Sequence, residues 1–344
     1  MNKQGSYSPP FTTSTKIVQL ISEISEAIGH LSIRDSKNIV PQLRRSNRLR
    51  TIHASLAIEN NTLSLEQVTA IINGKRVLGK PQEIQEVKNA FTVYEAIEQL
   101  NPFLQKDMLK AHRLLMDTLV TEAGKYRSGG VGIIKDNELV HIAPPPQRIP
   151  ELMNDLFAWI KNTDEHPLIT SSVFHYEFEF IHPFADGNGR MGRLWQTLIL
   201  SKWRPILAYL PVETIIYNNQ EEYYNALGKS DKVADSTIFI EFILNSIVLA
   251  LKEFDITDPV DDPVSDPVRN LLIVLEPGAL SSGDIRELLN LKHRQSFREN
   301  YLHPALDQLL IERTIPDKPN SRLQKYRLTD RGRNLLPKLK GRGV

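Results

Sequence analysis

The sequence contains no cysteine, which excludes disulfides, thiolate metal sites and cysteine nucleophiles. It also lacks a long uncharged apolar run. The most apolar stretch, Thr237 to Leu251, carries Glu241 and Asn245 and is too short to cross a bilayer. The opening residues MNKQGSYSPP have no apolar core of a secretory leader, so the expected location is the cytoplasm and no membrane partner is expected. Neither sign of charge dominates: 42 Lys+Arg face 41 Asp+Glu, a net of +1, which argues neither for nor against a nucleic-acid partner. Internal repeats are absent as well. What is present is 344 residues, 41% hydrophobic and 24% charged, enough to bury a sizeable core in two or three domains.

Hydrophobic periodicity predicts a mainly α chain. After a polar, proline-containing arm of about fifteen residues, Ile17, Leu20, Ile21, Ile24 and Ile28 recur at helical spacing and Gly29 offers a stop. A second helix is expected over 41–59, ended by Asn60–Asn61. Further helical patterns cover 64–73, 81–100, 105–119, 150–162, 168–181, 189–203, 220–228 and 236–254. Region 126–146 differs. Ile133 and Ile134 on one side, and Leu139, Val140 and Ile142 on the other, flank the turn-prone Asp136–Asn137, and prolines 144–146 follow. That pattern predicts a short β-hairpin. The stretch DITDPVDDPVSDPV (255–268) has repeated Asp-Pro turns and no apolar period, as expected of an exposed, stiff linker. These breaks give an N-terminal helical region (1–100), a core (101–254), the linker, and a C-terminal domain (269–344). From Ser281 onward the chain holds 14 Lys+Arg and 7 Asp+Glu, a net of +7, so residues 1–280 carry −6.

Residues 182–193 read HPFADGNGRMGR, between two stretches of helical pattern. Gly187 and Gly189 permit a tight backbone path whose N–H groups, with the start of the next helix, make an anion site. Arg190 and Arg193, three apart on the first helical turn, can face one polyphosphate. Asp186 is a hard carboxylate suited to a Mg²⁺ bridging phosphates. His182, at the preceding helix end, can accept a proton from a hydroxyl near neutral pH. Together they point to phosphoryl or nucleotidyl transfer. Any one of them alone fits a glycine-rich helix connection with surface ion pairs, but the whole set does not.

The segment resembles the signature of the Fic family, HPFx(D/E)GNGRxxR, at all nine specified positions, with Ala185, Met191 and Gly192 at the free ones. The resemblance spans about residues 40–250. It implies a Fic helical core with a β-hairpin flap that docks a target by strand addition. It further implies His182 as base, Asp186 as Mg²⁺ ligand and ATP as the nucleotide. Contacts to ATP would run over Asp186, Gly187, Asn188, Gly189, Arg190, Met191, Gly192 and Arg193. Flap residues Glu138, Leu139, Val140 and His141 match the strand that lines the nucleotide site. Tyr223 and Tyr224 resemble an aromatic pair near the adenine, with core packing as the competing reading. Asp231 stands where some relatives carry asparagine, a departure from the pattern. The Doc branch, a phosphorylating variant, carries lysine in place of Gly189 and lacks the arginine that Arg193 supplies, so the resemblance favours transfer of AMP.

Ser55, Glu59 and Asn60 fit the family's inhibitory motif (S/T)xxxE(G/N). Ser55 and Glu59 share a helix face, and a carboxylate paired with Arg193 would occupy the place of the γ-phosphate. The implied reaction is autoinhibited transfer of AMP to a Tyr, Thr or Ser hydroxyl of a target protein or of the chain itself. Removal of AMP by the same site, with Glu59 activating water, is an alternative. Another is an ATP-sensing regulator that binds DNA. Residues 268–340 read as a winged helix, with helices from Ser282 and over Arg294–Leu310, a wing strand at Gln324–Thr329 and a last helix after Gly332. Lys292, Arg294 and Arg298 would suit a DNA backbone.

Overall fold

The computed structural model describes residues 7–35, 41–135, 138–256, 266–291, 293–315 and 321–340, and for 32–35, 41–43, 132–135, 138–142, 255–256, 266, 307 and 337–340 the backbone alone. The chain divides into two compact units, residues 1–255 and 256–344.

The first unit comprises helices α1 (Thr15–Asp35), α2 (Pro41–Ile58), α3 (Leu65–Ile72), α4 (Pro81–Glu95) and α5 (Gln105–Leu115). The strands β1 (Gly132–Lys135) and β2 (Glu138–Ile142) follow, then α6 (Ile149–Asn162), α7 (Pro167–Ile181), α8 (Asn188–Trp203), α9 (Val212–Asn218), α10 (Gln220–Val233) and α11 (Thr237–Ile256). The strands pair antiparallel, with Gly132 opposite Ile142 and a bulge between Ile133 and Ile134. The sequence S-L-E-Q at 64–67 forms a capping box: Ser64 accepts from the Gln67 N–H and Gln67 accepts from the Ser64 N–H.

Two apolar clusters meet at α7. Phe174 and Phe178 pack with Met108, Leu156 and Trp195. Val173 and Tyr176, on the opposite face, pack with Ile17, Ile24, Phe239 and Ile243. A helix apolar on every side is a central one, and this one ends at the motif. The arm, residues 7–14, lies without regular structure against α7 and α11. The Tyr7 hydroxyl donates to Glu177 (2.6 Å) and the Ser236 N–H donates to the Pro10 carbonyl (2.9 Å).

The second unit holds α12 (Asp266–Val274), β3 (Leu280–Ser281), α13 (Ser282–Leu288), α14 (Arg294–Phe297), α15 (His303–Asp307), β4 (Ile311–Arg313), β5 (Lys325–Leu328) and α16 (Asp330–Lys340). The sheet order is β3-β5-β4, and β4–β5 is the wing of a winged helix. Tyr326 and Leu328 point alternately inward from β5 onto Leu271, Ile285, Phe297 and Leu335.

Several elements differ from the periodicity. The expected linker ends before Asp266, because Asp266-Pro267 opens α12, where proline's missing N–H costs nothing in a first turn; residues 257–265 lie outside the described residues. The short α9, after Pro211, had no readable period. Helix 220–228 runs on to Val233 through Gly228. The helix expected over 294–310 contains a π turn, Arg298–Leu302, just ahead of Pro304, whose ring cannot sit in a regular α ladder. Arg294 and Arg298 are exposed; Lys292 lies outside the described residues. Among the described residues no helix is long and apolar enough to cross a membrane.

Candidate active site

The motif occupies the turn between α7 and α8. His182 adopts a left-handed conformation, φ 49° and ψ 59°, and closes α7 by donating its N–H to the Phe178 carbonyl (2.9 Å). Such a backbone is uncommon for a residue with a side chain and needs support from its surroundings. Gly187, φ 83°, turns the chain into α8, whose first N–H groups have no partner within the helix.

The loop is held from three sides. Asn188 is buried and acts as a two-pronged brace. Its Oδ1 accepts from the Phe184 N–H (2.9 Å) and its Nδ2 donates to the Phe184 carbonyl (2.8 Å), so this side chain is spent on the loop rather than aimed at a ligand. His112 of α5 stacks on Phe184, with ring centroids 3.6 Å apart. Its Nδ1 accepts from the Gly124 N–H (2.8 Å), which leaves Nε2 to donate to the Asp186 carbonyl (3.0 Å). Arg127, 3% exposed, supports the third side. It donates from Nε to the His182 carbonyl (2.7 Å) and from its N–H to the Pro183 carbonyl (2.9 Å). Sequence reasoning missed both residues. Arg127 carries no spacing signal. His112 did leave one, a polar ring on the apolar face formed by Met108, Ala111 and Leu115.

Burial lowers the His112 pKa to about 4, so the ring is neutral at pH 7 in the tautomer just given. The unfolded ring titrates near 6.5. Its contribution to stability is therefore complete above about pH 6.5 and is lost as pH falls toward about 4, by on the order of 3 kcal/mol. His112→Gln keeps one acceptor and one donor but does not titrate. The urea-unfolding free energy of the wild type is expected to fall more steeply than that of the variant across this window. Parallel pH profiles would contradict the assignment.

The two arginines are both engaged. Arg190 pairs with Asp186 Oδ1 (3.0 Å) and lies 3.9 Å from Glu86 of α4. The Arg193 side chain is 1% exposed. It donates from Nε to Ser55 Oγ (3.2 Å) and from Nη2 to the Ser55 carbonyl (2.9 Å) and Glu59 Oε1 (2.8 Å). Burial works against its charge, but Glu59 prevails and its pKa is raised. The end of α2 fixes Glu59. Asn60 is left-handed (φ 68°), the Asn61 N–H donates to the Leu56 carbonyl and the Asn60 N–H to Ala57, a Schellman motif with Glu59 at the cap. Gly189 makes room for the carboxylate: a Cβ there would lie 2.3 Å from Glu59 Oε1. Gly192 has a different part, letting α8 approach His175 and Glu179 of α7, which a Cβ would meet at 2.8 and 2.9 Å.

His182 Nδ1 lies 3.3 Å from the Glu179 carbonyl. A carbonyl can only accept, so Nδ1 carries the proton and Nε2 is the basic atom. The Asp186 side chain is 54% exposed beside the start of α8. Among the described residues no group of three or more His, Asp and Glu could hold a metal. One accessible carboxylate beside an anion site does fit Mg²⁺, which keeps waters and is shared with substrate phosphates.

Three further candidate residues have structural partners of their own. Met191 is wholly buried in the core and offers a ligand no side chain. Tyr223 is 2% exposed, its hydroxyl 3.2 Å from His175 Nε2, so of the tyrosine pair only Tyr224, 39% exposed, presents a ring at the surface. Asp231 accepts from the Tyr176 hydroxyl (2.8 Å), a bond that ties α10 to α7. The side chains of Glu138, Leu139, Val140 and His141 lie outside the described residues.

A helical core that carries such a loop between two buried helices, beside a hairpin, is the Fic architecture. Residues 100–200 match the model of the Fic/DOC family, and residues 266–329 match that of the C-terminal domain of Filamentation induced by cAMP protein Fic-like. The crystal structure of a Fic family protein from Desulfovibrio desulfuricans G20 is 57% identical, covering 94% of this chain and 99% of that one, with a TM-score of 0.73. The chain therefore belongs to the Fic family. Protein adenylyltransferase Fic of Nematostella vectensis is 33% identical over 205 residues, 56% of this chain and 45% of that protein. Protein adenylyltransferase fic-1 of Caenorhabditis briggsae is 30% identical over 244 residues, 66% of this chain and 45% of the relative. The chain thus spans somewhat under half the length of the curated relatives it matches.

Proposed function

We propose that the chain transfers AMP from ATP to a Tyr, Thr or Ser hydroxyl of a target protein or of itself, and that Glu59 holds the reaction off. The observation that supports this reading is the twelve-residue turn between α7 and α8, which carries His182, the Asp186 carboxylate, the first N–H groups of α8 and the buried Arg190 and Arg193. The names of the relatives point the same way.

In this reading the β- and γ-phosphates lie on the N-terminus of α8 and on Arg190 and Arg193. The target hydroxyl oxygen attacks the α-phosphorus, its proton passes to His182 Nε2, and the bond to the β-phosphate oxygen breaks to release pyrophosphate. Asp186 would hold Mg²⁺, which supplies charge compensation to the phosphates when bound. The backbone edge of the β1–β2 hairpin would receive the target segment as an added strand. With Glu59 on Arg193, ATP has no place for its γ-phosphate, and its α-phosphate is left out of line for attack.

The test is mass spectrometry of the purified chain, alone and with lysate proteins, after incubation with ATP and Mg²⁺. Addition of one AMP to some hydroxyl side chain is expected, strongest in a Glu59→Gly variant. Asp186→Ala in that background is expected to lose the modification. If Glu59→Gly adds no AMP to itself or to any acceptor, the reading fails.

A further inference from the structure

The hairpin and the motif share one side chain. Arg127 is 3% exposed, yet among the described residues it meets no carboxylate: every hydrogen bond it makes there ends on a backbone carbonyl. Nε donates to His182 (2.7 Å), Nη1 to Gly129 (2.8 Å), and Nη2 to Pro144 (2.7 Å) and Ile181 (3.4 Å). Its own N–H adds Pro183 (2.9 Å). Gly129 precedes β1 and Pro144 follows β2, so one guanidinium ties both ends of the hairpin to the Ile181 and His182 carbonyls at the end of α7, and the backbone N–H of the same residue holds the next carbonyl, Pro183. Burying a cation costs energy that carbonyl dipoles offset only in part. Leucine would suffice if the position merely filled space. Five N–H donors in a rigid plane are what several carbonyls at fixed angles require.

From this geometry we infer that Arg127 is a positioning residue that sets the target-docking hairpin and the basic His182 at one fixed separation. The inference rests on the proposed function, in which the hairpin receives the acceptor and His182 takes its proton. The acceptor oxygen then arrives in register with Nε2 because both supports hang on the same planar group. Arg127 also bonds the carbonyl of the left-handed residue, so it stabilises the backbone that aims the imidazole. In the proposed function the ATP phosphates rest on α8, to which Arg127 makes no hydrogen bond among the described residues, so nucleotide affinity is expected to depend on Arg127 far less than transfer does. The inference therefore separates two quantities that a merely structural arginine would move together, nucleotide affinity and transfer rate.

The experiment uses the full chain in the Glu59→Gly background and compares Arg127→Lys and Arg127→Gln with that parent. Lysine keeps the charge but has no planar fork, and glutamine keeps a donor without charge. Three quantities are read: ATP affinity by calorimetry, AMP transfer at saturating ATP, and amide exchange over 128–144 and 181–184. Expected are ATP affinity within about twofold, transfer reduced by roughly 10²-fold, and faster exchange in both segments at an unchanged global unfolding midpoint. Transfer within threefold of the parent in Arg127→Lys would overturn the inference, as would ATP affinity falling in step with transfer. If the parent itself transfers nothing, the proposed function falls, while unchanged exchange in the variants would independently reject the tie between hairpin and motif.

Discussion

Replacing Glu59 by glycine is expected to raise AMP transfer by about 10²-fold, the scale on which a misplaced reacting centre slows a positioned reaction. Most substitutions near an active site lower activity, so a gain is diagnostic. Its origin is geometric. The Arg193 side chain is 1% exposed and, besides Glu59, bonds Ser55 through Nε and Nη2. Removing the carboxylate leaves the guanidinium in place with one face open toward the start of α8. The side chain removed is itself 31% exposed, so the loss falls on the buried partner alone. A stability cost of about 1–3 kcal/mol follows from leaving part of a buried charge unpaired, and ATP should restore it by supplying the γ-phosphate. Thermal unfolding with and without ATP checks that: Glu59→Gly should melt lower than wild type when unliganded and gain more from ATP. The double variant Glu59→Gly, Arg193→Ala should return to low transfer, because the group freed by the first change is missing. A gain that survives loss of Arg193 would mean that Glu59 inhibits by another route.

His182→Ala in the Glu59→Gly background is expected to reduce transfer by about 10²–10⁴-fold, the usual contribution of a positioned general base, with ATP affinity nearly unchanged. The split arises because the imidazole sits at the end of α7, whereas the anion site belongs to α8. Alanine can be strained in the left-handed conformation of this position, φ 49°. His182→Asn tolerates that backbone better and equally removes the base, so both variants should be inactive while binding ATP. Transfer persisting in the asparagine variant would assign the proton to another group.

Most of the site was legible because its chemistry is local in sequence. His182 through Arg193 span twelve residues, and the glycines, the carboxylate and the arginines each suggest a use by type and spacing. Glu59 was legible through the resemblance of Ser55, Glu59 and Asn60 to the family's inhibitory motif, with the i, i+4 spacing showing only a shared face, and the structure brings both Ser55 and Glu59 to Arg193. What escaped is the support from far along the chain. Arg127 and His112 work through backbone carbonyls, and a carbonyl leaves no trace in a sequence. Glu86, on α4, comes within 3.9 Å of Arg190 through tertiary folding that spacing along the chain does not show. Periodicity likewise found the long helices but not α9 and α12, which are short and begin at prolines, nor the end of the linker, where an Asp-Pro pair opens a helix. Tyr223 and Met191 belonged to stretches whose partners are ligands in one reading and core in the other. Which of these side chains is buried depends on tertiary packing that residue type does not encode.

The most direct test of autoinhibited AMP transfer uses ATP labelled at either the α- or the γ-phosphate. Wild type, Glu59→Gly and Glu59→Gly, His182→Ala are incubated with it under identical conditions, and protein-bound label is counted. The account predicts label from the α-phosphate on protein with Glu59→Gly, little with wild type and almost none with the double variant, and no label from the γ-phosphate in any of them. Protein-bound label from the γ-phosphate, or equal α-label in wild type and Glu59→Gly, would contradict it.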